Sequence, residues 1–128
     1  MSHSLELKCL ADRLAVCRLE PRSAVPDWVP DTGFASVTRT AGELSLVVPE
    51  ERVPPDVRAE SGWRALEVRG PLDFSLIGVL ASLTAPLASA EVSLLAISTF
   101  DTDYVLVRDD RLADALAALR GAGHRVTE

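Results

Sequence analysis

Apolar and polar residues alternate with a period of two over much of the chain, a pattern typical of strands in half-buried sheets. Residues 5–19 alternate in this way and are predicted to form two short strands around Ala11-Asp12. A proline-rich link follows, and the pattern then predicts a strand over residues 34–39, a turn at Ala41-Gly42 and a returning strand over residues 43–48.

The second half combines this alternation with helical spacing. Strands are predicted over residues 63–69, 92–98 and 104–108, with a short last strand over residues 125–127. Between the first two, apolar residues recur at the spacing of a helix face, at Leu76, Ile77, Leu80, Leu83 and Leu87.

Local signals set the expected ends of the two helices. Asp73 or Ser75 is expected to cap the first helix through a side-chain oxygen, and Pro86 predicts a break or kink near Ala85. Asp109-Asp110 is expected to cap the second helix, which presents Leu112, Ala113, Leu116, Ala117 and Leu119 and ends at Gly121 or Gly123.

The chain contains an internal repeat at an offset of 60 positions, at which residues 37–44 align with residues 97–104 and Glu43 aligns with Asp103. The preceding segment is 11 residues shorter in the first half, which is about three helical turns. The repeat therefore predicts an α+β protein of two ferredoxin-like (βαββαβ) modules side by side, over residues 1–61 and 62–128. The first module has a reduced first helix.

Composition narrows the function. The chain has 128 residues and a formal net charge of −6, which argues against nucleic acid and against an anionic membrane surface. No stretch reaches the ~20 apolar residues of a membrane span, and the first residues lack the pattern of a signal peptide, so we expect a cytoplasmic protein. The two cysteines, Cys9 and Cys17, lie in apolar patterns and are interpreted as buried thiols. His3 and His124 lie near the chain ends, so we expect no metal site and no cofactor.

The tip of the predicted hairpin at residues 96–107 is rich in directional polar groups, with two carboxylates, several hydroxyls and one aromatic ring. Its Ile-Ser-Thr-Phe run at residues 97–100 is followed by Asp103. Together with Gly-Pro-Leu-Asp-Phe-Ser at residues 70–75 and Ala-Pro-Leu-Ala at residues 85–88, it resembles the ACT domain family. The likeness is to the subgroup with two modules in one short chain, which includes arginine-sensing proteins.

This resemblance implies a non-catalytic regulatory protein that binds an amino acid or a similar small metabolite at a module interface. It also implies a homodimer and leaves room for an unidentified protein partner. A carboxylate at Asp103 would pair with the ligand ammonium, and the loop before the first helix would hold the ligand carboxylate. The candidate ligand-binding residues lie in that loop and in the hairpin: Leu72, Asp73, Phe74, Ser75, Ile97, Ser98, Thr99, Phe100 and Asp103.

Plainer interpretations stand beside these. Asp103 can be a turn residue, Asp73 a helix cap, and Thr99 and Phe100 ordinary strand formers. The arginine-sensing relatives have an acidic residue just inside the first helix, where this chain has Ser75-Leu76-Ile77, so the sequence leaves the identity of the amino acid open. The alternative function is a dimerisation module with a degenerate pocket and no ligand. Catalysis is not expected, because the chain offers no credible Ser-His-Asp set and no phosphate loop.

Overall fold

The protein has an α+β fold in the computed structural model, which describes residues 4–73 and 75–128. The described elements are the strands β1 (Glu6–Leu19), β2 (Ser36–Arg39), β3 (Leu44–Pro49), β4 (Arg58–Val68), β5 (Leu94–Ser98), β6 (Asp103–Arg108) and β7 (Arg125–Thr127), and the helices α1 (Val79–Ser89) and α2 (Leu112–Gly121). The candidate site residue Phe74 lies outside the described residues.

The chain divides into two compact units. The larger unit combines the chain up to Ala11 with Arg64–Glu128, and the smaller unit is Asp12–Trp63. The two modules expected from the repeat, 1–61 and 62–128, differ from these units mainly in the first eleven residues, which belong to the larger unit. The reason is strand pairing, because β1 runs parallel to β7 with Leu7 opposite Val126.

The larger unit contains the expected order strand, helix, strand, strand, helix, strand as β4, α1, β5, β6, α2 and β7. Its strands lie in the order β7-β1-β4-β6-β5, so the first part of β1 is inserted between β7 and β4. The backbone N–H of Arg69 donates to the carbonyl of Glu6 at 2.8 Å beside this inserted strand.

The core of the larger unit lies between the two helices and the sheet. Leu83 and Leu87 from α1 and Leu119 from α2 are fully buried against Leu66 and Val68 of β4. Burial of a leucine side chain contributes ~1.5–3 kcal/mol, so this cluster is the main source of stability for the unit.

Helix α1 differs from the sequence expectation at its start. It begins at Val79, after Gly78 at φ 82°, and neither Asp73 nor Ser75 caps it. Leu76 is 47% exposed and Ile77 is 86% exposed, because both precede the helix.

The buried face of α1 is also shifted, since its buried residues are Val79, Leu83 and Leu87. Leu80 is only partly buried. The spacing of apolar residues gave the helix correctly, but its apolar run included residues that lie in the preceding loop.

Of the break or kink expected near Ala85, the break does not occur, because α1 continues through Pro86 to Ser89. Proline has no N–H for the carbonyl of Ser82, four residues earlier. The side chain of His124 lies in its place, with Nε2 at 2.9 Å from the Ser82 oxygen. Since a carbonyl only accepts and the N–H of Leu5 only donates to Nδ1, at 3.1 Å, the ring is neutral with its proton on Nε2.

Two further elements differ from the pattern. β1 is one continuous strand of 14 residues rather than two short ones. Asp109–Arg111 forms a single 3-10 turn before α2, which starts without a side-chain cap, so the expected cap at Asp109-Asp110 is wrong. Of the expected buried face of α2, Leu116 and Leu119 are buried, whereas Ala113 and Ala117 are exposed.

The smaller unit contains β2 and β3 with the second part of β1, in the order β2-β3-β1. β3 is antiparallel to both neighbours, with Val47 opposite Val16 of β1 and Ser36 of β2. Its own core consists of Ala15, Cys17, Leu44, Leu46 and Val48, with Trp28 packed against it. Cys9 and Cys17 are buried free thiols, as expected, and burial raises the pKa of each.

Candidate ligand-binding site

The loop after β4 and the tip of the β5–β6 hairpin are held together by the backbone. The N–H of Leu72 donates to the carbonyl of Asp101 at 2.7 Å. Gly70 makes this approach possible, because a Cβ at that position would lie 2.9 Å from the same carbonyl oxygen and 3.0 Å from Cβ of Thr102. The hydroxyl of Thr102 also donates to the carbonyl of Val68 at 2.6 Å.

The hairpin tip is itself ordered by short hydrogen bonds. The N–H of Thr99 donates to the carbonyl of Thr102 at 2.8 Å, and the N–H of Thr102 is 3.3 Å from the Thr99 hydroxyl. The hydroxyl of Ser98 donates to Oδ1 of Asp103 at 2.6 Å. The Ser98 hydroxyl therefore holds the Asp103 carboxylate at the tip of the hairpin.

These two segments enclose a pocket of about 210 Å³ within the larger unit. Six of the nine candidate residues line it, namely Leu72, Asp73, Ser98, Thr99, Phe100 and Asp103. Ser75 and Ile97 are not among its lining residues. The pocket brings together segments about 30 residues apart in sequence, which the sequence suggested only through the family resemblance.

Four lining residues were not among the candidates: Leu76, Val79, Asp101 and Thr102. Asp101 belongs to the hairpin tip beside the candidate Asp103, and Val79 is the first residue of α1. The signal for Val79 in the sequence is Gly78, because a glycine can adopt the left-handed conformation that precedes the first residue of α1.

The lining is negatively charged. It contains Asp73, Asp101 and Asp103, and no lysine or arginine lies among its described residues. The N–H and then the hydroxyl of Ser75 hold the pKa of the Asp73 carboxyl below its usual value, so this group is ionised at neutral pH. A ligand with a positive charge is therefore favoured in this pocket.

The start of α1 supplies the opposite polarity. Val79 is the first residue of this 11-residue helix and lines the pocket. The first amides of a helix have no partner within it and attract a carboxylate. Carboxylates on one side and helix amides on the other suit a zwitterion.

The rim of the pocket is apolar and exposed. Phe100 is 80% exposed and Leu76 is 47% exposed.

In the part of the chain that the structure describes, no group of three or more His, Cys, Asp or Glu residues is arranged to hold a metal ion. None of the described helices is long and apolar enough to cross a membrane.

Comparison with known families identifies the class of the larger unit. The family model of the ACT domain matches residues 58–121, half of the chain. The chain belongs to the ACT domain family. A second model, which describes an N-terminal domain, matches residues 12–56 of the smaller unit.

Among curated proteins, the chain is similar to the human protein named cytosolic arginine sensor for mTORC1 subunit 1. The two are 32% identical over 109 residues, covering 79% of this chain and 33% of the human protein. The chain thus spans about a third of the length of the curated relatives it matches.

Two solved structures are similar in fold. A protein from Agrobacterium tumefaciens is 36% identical, with a TM-score of 0.92 over 98% of this chain and 93% of that chain. Aspartate kinase from Clostridium acetobutylicum has a TM-score of 0.68 at 8% identity, over 95% of this chain and 35% of that chain, and shares the fold alone.

Proposed function

We propose that the protein is a regulatory amino-acid sensor whose ligand occupies the pocket between the β4–α1 loop and the β5–β6 hairpin. The observation that supports this most is the pairing of three carboxylates with the start of α1 in one small pocket. In this proposal Asp103 pairs with the ligand ammonium, and the amides at Val79 pair with its carboxylate. Both charges of the ligand are then satisfied, because leaving either one desolvated and unpaired is costly.

Within the amino acids, the lining favours a cationic side chain. Asp73 and Asp101 remain as partners for a second positive charge once Asp103 holds the ammonium. The name of the human relative, an arginine sensor, points in the same direction. The segment Ser75-Leu76-Ile77 still lacks the acidic residue that the resemblance leads us to expect, so lysine and arginine are both tested.

We propose a symmetric homodimer as the binding form. β5 lies at the edge of the larger unit, with Leu95 37% exposed on it and Phe100 80% exposed beside it. An uncharged edge strand is usually covered, since its free backbone groups can pair with another strand. A second copy at β5 would cover both residues and close the pocket.

A wider role is proposed with the site. The protein would act in the cytoplasm without catalysis and would pass its ligand state to a protein partner, as the names of its relatives suggest. The smaller unit is proposed to be a degenerate ACT-like module with a reduced first helix. The alternative is a dimerisation module without a ligand, which the exposed Leu95 and Phe100 also favour.

A thermal-shift screen against the common amino acids, followed by calorimetry, tests the ligand. At about 100 times its dissociation constant, a ligand that binds only the folded state stabilises it by roughly 2.7 kcal/mol. We expect Asp103→Asn to weaken binding by ~1.5–3 kcal/mol, the range for a hydrogen bond to a charged group. Asp31→Asn, an exposed position in the smaller unit, is the matched control.

Two outcomes would contradict the sensor. If no amino acid stabilises the protein, the alternative function as a dimerisation module is favoured. If the Asp103 and Asp31 variants bind the ligand equally well, the ligand does not bind in this pocket. Sedimentation at tens of micromolar separately tests the dimer, and a monomer with and without amino acids would refute it.

A further inference from the structure

A second cavity of the larger unit exceeds the proposed amino-acid pocket in volume. It has a volume of about 910 Å³, which is within the usual range for ligand sites. Its lining comes from both ends of the chain, since it includes Glu6 and Lys8 of β1, Arg69 after β4, and Arg125 of β7.

Two guanidinium groups converge on one carboxylate at this cavity. Nη1 of Arg69 is 3.0 Å from Oε2 of Glu6, and Nη2 of Arg125 bonds the other oxygen, Oε1. The side chains of the two arginines are 79% and 77% exposed, so solvent and solutes reach them. Arg125, and then Arg69, hold the pKa of Glu6 below its usual value, which keeps the carboxylate charged.

The charged residues that line the cavity have a net positive charge, whereas the chain as a whole is negative. Its lining has four cationic residues, Lys8, Arg69, Arg120 and Arg125, and three anionic ones, Glu6, Glu67 and Asp101. The lining is therefore positive by one charge, whereas the whole chain has a net charge of −6.

The anionic residues are partly engaged already. Glu67 accepts a hydrogen bond from the Tyr104 hydroxyl at 2.7 Å, and Glu6 is held by the two arginines. A guanidinium has five N–H donors, and one carboxylate oxygen does not saturate them. Each arginine thus keeps donors for a second anion.

We propose that this cavity is a second ligand site, which binds a small carboxylate-bearing anion through Arg69 and Arg125. The side chain of Glu6 neutralises part of the charge of the two arginines and takes up some of their donors, so it competes with the ligand carboxylate for them. Lys8 supplies a further positive charge, and Pro71 and Val126 provide apolar lining. Guanidinium is suited to this role because its planar fork matches a carboxylate.

This site is separate from the proposed amino-acid pocket. Asp101 and Thr102 line both cavities, whereas Glu6 and Arg125 line only the larger one. Variants at Glu6 and Arg125 therefore test the second site without removing a residue of the first. Failure of one proposal leaves the other standing.

Calorimetry with succinate, and separately with inorganic phosphate, tests the proposal at low ionic strength. Arg125→Gln removes one of the two guanidiniums and is expected to weaken succinate binding by about tenfold. Glu6→Gln removes the internal competitor and is expected to strengthen it. Arg22→Gln and Glu51→Gln make the same charge changes at exposed positions in the smaller unit and serve as controls.

The opposite responses of the two variants distinguish a site from general electrostatic attraction. No saturable succinate binding, equal affinities of the Arg125 and Arg22 variants, or no gain for Glu6→Gln over Glu51→Gln would each overturn the proposal. Binding of phosphate but not succinate would overturn the carboxylate assignment. If Arg125→Gln fails to fold, Arg69→Gln provides the same measurement.

Discussion

Replacement of His124 by phenylalanine should destabilise the larger unit strongly. The ring is 4% exposed, and it both donates to the carbonyl of Ser82 and accepts from the N–H of Leu5, at 2.9 Å and 3.1 Å. Phenylalanine keeps an aromatic ring but leaves both backbone groups without this partner. An unsatisfied buried group costs ~1–3 kcal/mol, so we expect a loss of roughly 2–6 kcal/mol for the two groups together.

The helical proline provides an internal test of this mechanism. Pro86→Ala restores the N–H that a regular helix directs to the Ser82 carbonyl, so that carbonyl no longer depends on His124. His124→Phe should therefore cost about 1–3 kcal/mol less in the Pro86→Ala background than in the original chain.

Urea unfolding of the four proteins in this cycle measures the coupling, with an unchanged slope as the sign that two-state behaviour is kept. Amide exchange at Leu5 should accelerate in both His124 variants, because alanine at residue 86 does not replace that bond. Additive losses in the cycle would refute the idea that His124 replaces the missing N–H of Pro86.

Two further substitutions follow from local geometry. Gly70→Ala should destabilise, because its Cβ would lie 2.9 Å from the carbonyl oxygen of Asp101, whereas Gly121→Ala, with nothing within 4 Å, should stabilise α2 by up to ~1 kcal/mol in thermal melts. Equal melting temperatures of the two variants would contradict this difference between Gly70 and Gly121. Tyr104 is the single tyrosine, and burial, aided by its bond to Glu67, raises its pKa to about 12, so its ultraviolet ionisation should occur well above pH 10. Because the folded pKa exceeds the unfolded one, stability present below pH 10 should fall as the pH rises toward 12, and Glu67→Gln should lower the ionisation midpoint. An ionisation midpoint near pH 10 for Tyr104 in the native protein would refute the effect of burial and of Glu67 on its pKa.

The local pattern of the sequence predicted much of the secondary structure. β7 lies at residues 125–127 as expected, and β6 differs from its prediction by one residue. Apolar and polar residues alternate clearly in these segments, which are bounded by polar turns or glycine. Residues that are close in sequence were therefore sufficient to predict these strands. The resemblance to ACT domains then named six of the residues that line the small pocket.

One error arose where a distant residue supplied what the local pattern lacked, and another where a strand continued through a predicted boundary. Pro86 predicted a break or kink, yet α1 continues through it, and His124, which is 42 positions from Ser82, provides the missing hydrogen bond. Two strands were predicted around Ala11-Asp12, yet β1 continues through these residues. Such partners are set by strand order and helix packing, which alternation does not encode.

The composition, the helical and strand periods and the family likeness of the hairpin are therefore properties of the sequence by itself. Only the tertiary structure inserts β1 between β7 and β4, and this insertion brings Glu6 beside Arg69 and Arg125. Glu6 and Arg125 are 119 positions apart, so their charge pairing, and the larger cavity with it, depends on parallel pairing of the first and last strands. Strand pairing at that distance is chosen by burial of Leu7 and Val126 in a shared core, because their hydrophobic contribution exists only once the chain has folded.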